Sequence, residues 1–115
     1  MGYESRSVDA PNDVLRSLAD PTRRAILEHL LRDGELNVTA LTARAGVSQA
    51  AVSKHLSVLK HAGLVHDRPQ GRTVHYTANP QGLAPLIDWI QHYSTFWQDR
   101  LHALEHLLDT MDQDA

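Results

Sequence analysis

Gln49, Ala50, Ser53, Lys54 and Ser57 fall on one face of a segment whose other face is Val52, Leu56 and Leu59, spaced by four and then three residues. The chemistry open to the polar face is recognition of a flat, hydrogen-bonding, anionic partner. An amide such as Gln49 matches the paired donor and acceptor of an adenine edge, a hydroxyl such as Ser53 bonds less selectively, and Lys54 brings a charge for phosphate. Small residues at the leading end, Ala50 among them, let the backbone approach base edges closely. His55 sits beside this face and can either contact phosphate or pack inward. Farther along, Arg68 and Arg72 flank Pro69-Gln70-Gly71-Arg72, a stretch with turn chemistry that brings cations within reach of backbone phosphates or a narrow minor groove.

These side chains need a scaffold, and the surrounding sequence specifies one. A helical pattern begins near Val38, places Leu41 and Ala45 on one face and is broken by Gly46, which is free to take positive φ. Ser48 is a good N-cap for the helix carrying Gln49 to Ser57, and Gly63 stops it. Two runs with a period of two, 64–68 and 73–77, then predict a hairpin. Upstream, Val14, Leu15 and Leu18 form a short amphipathic helix. Asp20-Pro21 opens another, with Ile26, Leu27, Leu30 and Leu31 as its core face and Asp33-Gly34 as its end. Downstream of Asn79-Pro80, apolar residues recur at steps of three and four as far as Met111.

The expected fold is therefore mainly α with a small β-hairpin, a winged helix-turn-helix in the order α-α-α-α-β-β-α. One domain covers 1–115, with the helix-turn-helix at 38–62, the wing at 64–77 and a long helix at 80–109. A helix of that length spans about 45 Å, longer than a small domain can cover by itself, and a break near Ser94-Thr95 would make it two helices without changing this. It implies a twofold dimer in which Leu86, Trp89, Ile90, Tyr93, Phe96, Trp97, Leu101 and Leu104 pack against a second copy.

Composition narrows the function further. A chain of 115 residues has room for one core and little else. It has no apolar run of membrane-spanning length and no basic-then-apolar leader, so a cytoplasmic protein without a membrane partner is expected. Its 0 cysteines exclude disulfides and thiolate chemistry. The net charge of -3 is unevenly divided. Residues 38–77 carry five Lys and Arg against one Asp, a net +4, whereas 78–115 carry one Arg against six carboxylates, a net -5. The cations gather where phosphate would be met.

Three motifs, in order, resemble the ArsR/SmtB family of bacterial winged-helix regulators. They are Leu18-Ala19-Asp20-Pro21-Thr22-Arg23-Arg24, then Val47-Ser48-Gln49-Ala50-Ala51-Val52-Ser53-Lys54-His55-Leu56, then Ala62-Gly63-Leu64-Val65 before the wing. The resemblance runs from about Asn12 to Leu108. It implies a homodimeric DNA-binding regulator, usually a repressor at a near-palindromic operator. The DNA contacts would come from Ser48, Gln49, Ala50, Ser53, Lys54, His55, Arg68, Gly71 and Arg72.

Two departures bear on sensing. Family members that sense soft metals carry two cysteines just after a Glu-Leu pair, where this chain has Asn37 and Thr39, so that site is absent. A second family site, for zinc, lies on the dimerisation helix. Here Asp88, His92, His102 and Glu105 supply suitable residue types at spacings that differ from the family's. Together with His106 they leave a zinc-responsive repressor as an alternative to one with no cofactor. His102-Ala103-Leu104-Glu105-His106 also fits a zinc-peptidase signature, yet it lacks a third ligand and a cleft, and no enzyme is expected. A helical interaction module that touches no DNA is the rival of another class. Nothing in the chain specifies an inducer.

Overall fold

The structure, a computed structural model, describes residues 11–114. Helix α1 covers 11–18, followed by α2 (Pro21–Asp33), β1 (Leu36–Asn37), α3 (Val38–Ala45), α4 (Gln49–His61), β2 (Val65–Gln70) and β3 (Thr73–Ala78). A 3-10 turn (Pro80–Leu83) leads to α5 (Ala84–His92) and α6 (Ser94–Asp114).

Local chemistry sets the helix boundaries. Asp20 accepts from the Arg23 backbone N–H at 3.0 Å and Pro21 occupies the first turn of α2, where its missing N–H costs nothing. Asn37 caps α3 by accepting from Ala40 at 2.8 Å, and Ser48 caps α4 by accepting from Ala51 at 3.1 Å. Between them Gly46 adopts φ 69°, the left-handed conformation that lets α3 end and the chain turn into α4.

Val52, Leu56 and Leu59 have no exposed surface and meet Ile26, Leu30, Leu41 and Leu64 in a single core. Val14 and Leu27 join that core, but Leu15 and Leu31, expected on the same faces, are about half exposed at 46% and 47%. Apolar spacing identifies a helix face without saying how far round the neighbouring elements reach. The small Ser17 is buried in α1 instead, its hydroxyl donating to the Asp13 carbonyl at 2.8 Å.

The sheet has three strands in the order β1-β3-β2, all antiparallel, rather than the two of a simple hairpin. Leu36 and Asn37 pair with Tyr76 and His75. A two-residue strand is too short to show a period, and the sequence pattern missed it. The β2-β3 connection is also tighter than expected: Gln70 pairs with Thr73, leaving a two-residue loop of Gly71 and Arg72. Gly71 has φ 62° and Arg72 does not have positive φ, the pattern of a type II′ turn. Pro69 is tolerated because β2 is an edge strand.

The sheet is tied to the end of α4 by Asn79, which donates through Nδ2 to the Gly63 carbonyl at 2.9 Å and through its backbone to Leu64 at 2.8 Å. Gly82 then passes so close that a Cβ there would lie 2.8 Å from the Gly63 carbonyl carbon. After this junction the long helix is two, broken one residue before the Ser94-Thr95 position at which the sequence allows a break. Tyr93, at φ -106° and ψ 9°, interrupts the ladder, donating to Ile90, while Trp97 takes up the Tyr93 carbonyl at 3.1 Å. No proline or glycine marks the break, and the apolar period continues across it.

Helix α6 packs mainly on α5 and projects from the rest. The radius of gyration of 19.5 Å compares with about 13 Å for a compact chain of this length. Among the described residues no helix is long and apolar enough to cross a membrane.

Candidate nucleic-acid interface

The N-terminal turns of α4 and the tip of the wing meet in one surface groove. Gln49 and Ser53 line one wall and Arg72, Thr73 and Val74 the other, with Asn37, Val38 and Thr39 between them, around a volume of about 270 Å³. The groove forms because the Ser48 cap points the start of α4 outward, while the buried stripe of Val52, Leu56 and Leu59 fixes the helix's rotation. Ser48, Gln49, Ala50, Ser53 and Lys54 are all exposed along this face.

Three of the five cations in 38–77 are already committed. Lys60 bonds Asp67 at 2.9 Å, Arg44 lies 3.3 Å from Asp33, and Arg68 donates through Nε to Glu35 at 3.1 Å. Among the described residues Lys54 and Arg72 form no ion pair. The +4 segment is therefore less bare than its count suggests, because Asp33 and Glu35 come from the acidic stretch before it. Glu35 also lies 3.8 Å from His75, the cross-strand partner of Arg68.

This corrects the placement of Arg68. It was expected to flank the turn, but the strand continues through Pro69 and Gln70, so Arg68 sits two pairs below the last rung, held toward β1. Gly71 and Arg72 are the tip. The two outcomes open for His55 also separate: it is half-buried, and its Nδ1 accepts from Arg23 Nε at 3.4 Å, which favours packing. Arg23 is itself anchored by donating to the Ser17 carbonyl at 3.2 Å, and Arg24 donates to Leu18 at 2.8 Å, so the two arginines brace the α1-α2 corner.

Thr39 and Thr73 line the groove and were missed by sequence reasoning. Helical and strand periods placed them on unremarkable polar faces, and only the juxtaposition of α3, α4 and wing brings them together. Asn37, one of the two positions where metal-sensing relatives place cysteine, is occupied with capping α3.

Elsewhere, Leu86 is half-buried against the core, whereas Trp89, Ile90, Tyr93, Phe96, Trp97, Leu101 and Leu104 lie exposed along α5 and α6. The break at Tyr93 divides Asp88 and His92 on α5 from His102, Glu105 and His106 on α6. His102 lies 3.9 Å from Glu105, and His92 meets the Tyr93 ring edge-on at 5.0 Å. Among the described residues no group of three metal-ligating side chains converges within the protomer.

Two carboxylates near the site titrate low. Asp20 is held below its ordinary value chiefly by the Arg23 backbone N–H it caps, and Asp67 chiefly by the hydrogen bond from Lys60, whose own value is raised by the same contact.

Residues 18–68 match the family model of a helix-turn-helix domain. Over 106 residues the chain is 42% identical to the HTH-type transcriptional regulator Rv2034 of Mycobacterium tuberculosis, covering 92% of this chain and 95% of that protein. It is 32% identical over 82 residues to the transcriptional repressor SdpR of Bacillus subtilis, covering 71% and 90%. Among solved structures, an ArsR-like transcriptional regulator from Rhodococcus sp. RHA1 superposes with a TM-score of 0.69 at 30% identity, covering 87% of this chain and 93% of that one.

Proposed function

Since the chain belongs to the ArsR family of winged helix-turn-helix, DNA-binding transcriptional regulators, we propose that it is a cytoplasmic repressor that binds an inverted-repeat operator as a homodimer and has no catalytic role. The observation that carries this reading is the single groove formed by Gln49 and Ser53 of α4 with Arg72 and Thr73 of the wing. Helix α4 enters the major groove with Gln49 and Ser53 against base edges, Ala50 allowing close approach and Ser48 at the backbone. Lys54, Gly71 and Arg72 meet phosphate, and Arg72 reaches the flanking minor groove. Arg68 and His55 act from behind, one shaping the wing and the other packing α4 on Arg23.

The dimer is formed by the apolar face of α5 and α6, so that two α4 helices address half-sites about one helical turn apart. Repression follows from occupying the promoter, and SdpR, a relative over most of this chain, is named a repressor.

The test is a footprint of the protein on a duplex from the gene's own upstream region, with a reporter assay in parallel. Two protected patches one turn apart, with reporter output rising when the gene is deleted, are expected. A single patch overturns the dimeric reading. Falling output makes the protein an activator.

A further inference from the structure

We propose that the cleft between α1 and the C-terminal half of α4 binds a small organic anion, a carboxylate on a compact apolar body, and that Arg23 relays its occupancy to the DNA-reading helix. The relay rests on the DNA-binding reading above; the site itself does not.

The cleft lies behind the interface. It is an open cleft of about 530 Å³, within the range of small-molecule sites, lined by Asp13, Arg16 and Ser17 of α1, Arg23 of α2, Ser57, Val58 and His61 of α4, and Ala62 at the cap of α4. Val58 and Ala62 supply an apolar wall, while Arg16 and Arg23 bring two cations against the one carboxylate of Asp13. Asp13 is engaged by Arg16 at 3.7 Å, a long contact between exposed side chains that an incoming anion displaces at little cost. Arg23 faces no carboxylate ion pair among the described residues. Its bonds to Ser17 and His55 leave guanidinium donors free, in the planar fork that matches a carboxylate.

The coupling follows from what Arg23 already holds. Its Nη1 grips the Ser17 carbonyl on α1 and its Nε reaches His55 on α4, and His55 is next in sequence to Lys54. A carboxylate seated on the free donors draws the guanidinium into the cleft, and the bond it strains first is the long one to His55, at 3.4 Å. Losing it removes a polar tie between α2 and the middle of α4, whose apolar face stays packed in the core, and relaxes the exposed turn that carries Ser53 and Lys54. Only a ligand with different affinities for the two arrangements can shift the equilibrium, and the competition for Arg23 supplies that difference.

The experiment uses the full chain and two probes of one shape, benzoate and benzylamine, followed by backbone amide chemical shifts without DNA. Benzoate is expected to shift Ser57, Val58, His61 and Ala62 saturably, and benzylamine to leave them in place. Arg16→Ala, which removes only an exposed side chain, should weaken benzoate about tenfold, the worth of one charge-assisted hydrogen bond. Arg23→Lys keeps the charge but loses the fork and should weaken it by a similar factor. Absence of saturable shifts, equal response to benzylamine, or unchanged affinity in both variants overturns the site.

A gel shift on the upstream duplex then tests the relay, with benzoate expected to weaken DNA binding by the wild-type chain and not by Arg23→Lys. If benzoate binds and DNA affinity stays constant, the relay is wrong and the site stands. If no duplex is bound with or without benzoate, the DNA-binding reading of this chain has failed, independently of the cleft.

Discussion

Leu56 and Leu101 each recur with other apolar residues at helical intervals, yet Leu56 has no exposed surface and Leu101 is 58% exposed. The first belongs to the head, built by α1 to α4 and the sheet around one core; the second belongs to the arm of α5 and α6, which has no buried residue among the described ones. Trp97, at 59%, is bared more than any aromatic in the head. Both regions spend large apolar side chains, but apart from Leu86, which packs on the core, those of the arm do not hold the fold. An apolar stripe of this size left in water marks a surface made for association.

The largest effect expected from that contrast concerns stability. Leu56→Ala should destabilise the protein by about 2–5 kcal/mol through lost burial and a cavity. In the proposed dimer, Leu101→Ala combined with Leu104→Ala removes contacts made only with the second copy. In a dimer the melting temperature rises with protein concentration. Leu56→Ala should lower the whole curve and keep its slope, whereas the arm variant should flatten the slope and sediment as a monomer. An arm variant that melts lower by one fixed amount at every concentration breaks the comparison.

The junction between the two regions comes next. Gly82→Ala places a methyl against the Gly63–Leu64 backbone, and two main chains cannot both yield cheaply. The cost should be about 1–3 kcal/mol, the range of overpacking. Because Gly63 ends α4 and Gly82 precedes α5, the same change should also tilt the arm and weaken DNA binding more than the stability loss alone explains. Equal loss of both would make Gly82 a packing residue only.

Charge divides the regions as well, and two arginines on the wing sharpen the division. Arg72 sits at the tip without an ion pair among the described residues, while Arg68 is held by Glu35. Arg72→Ala should reduce the salt dependence of duplex binding by about one phosphate contact per protomer and weaken operator and random DNA alike. Arg68→Ala should leave the salt slope nearly unchanged. If the two variants behave the same, the Glu35 contact does not survive on DNA.

These tests follow what was legible in sequence and what was not. The caps at Asp20 and Ser48, the turn at Gly46 and the stripe of Val52, Leu56 and Leu59 are local events, encoded within a few residues, and they stand where the pattern put them. Strand β1 was too short to carry a signal. The pairing of Arg68 with Glu35 spans 33 positions and depends on β1 lying beside β3, so no spacing rule reaches it. The exposure of Leu15 and Leu31 was hidden for a related reason, since periodicity is blind to what covers a face, and the break allowed near Ser94-Thr95 falls at Tyr93, where a one-residue interruption preserves the period. Within the groove, Gln49, Ser53 and Arg72 were readable from their own segments, whereas Thr39 and Thr73 required the third dimension.

The smallest effect tests how the wing is fastened to the head. Asp67 sits below its ordinary value because Lys60 donates to it, so the pair's contribution is complete above the usual carboxylate range and disappears as pH falls through the depressed value. Lys60 is raised, so at the other end the contribution is lost only as pH climbs beyond the raised value. Asp20, lowered by capping α2, acts in the same acid window. Asp67→Asn should therefore melt below wild type at neutral pH, and the two should converge as pH falls below the depressed value, with the remaining acid sensitivity owed in part to Asp20. Lys60 is exposed and Asp67 partly so, and about 1 M salt should shrink the neutral-pH gap by screening. A gap that persists at acid pH would assign the loss to the asparagine's shape, and the wing would then be held to α4 by the Asn79 clamp on Gly63 and Leu64 rather than by charge.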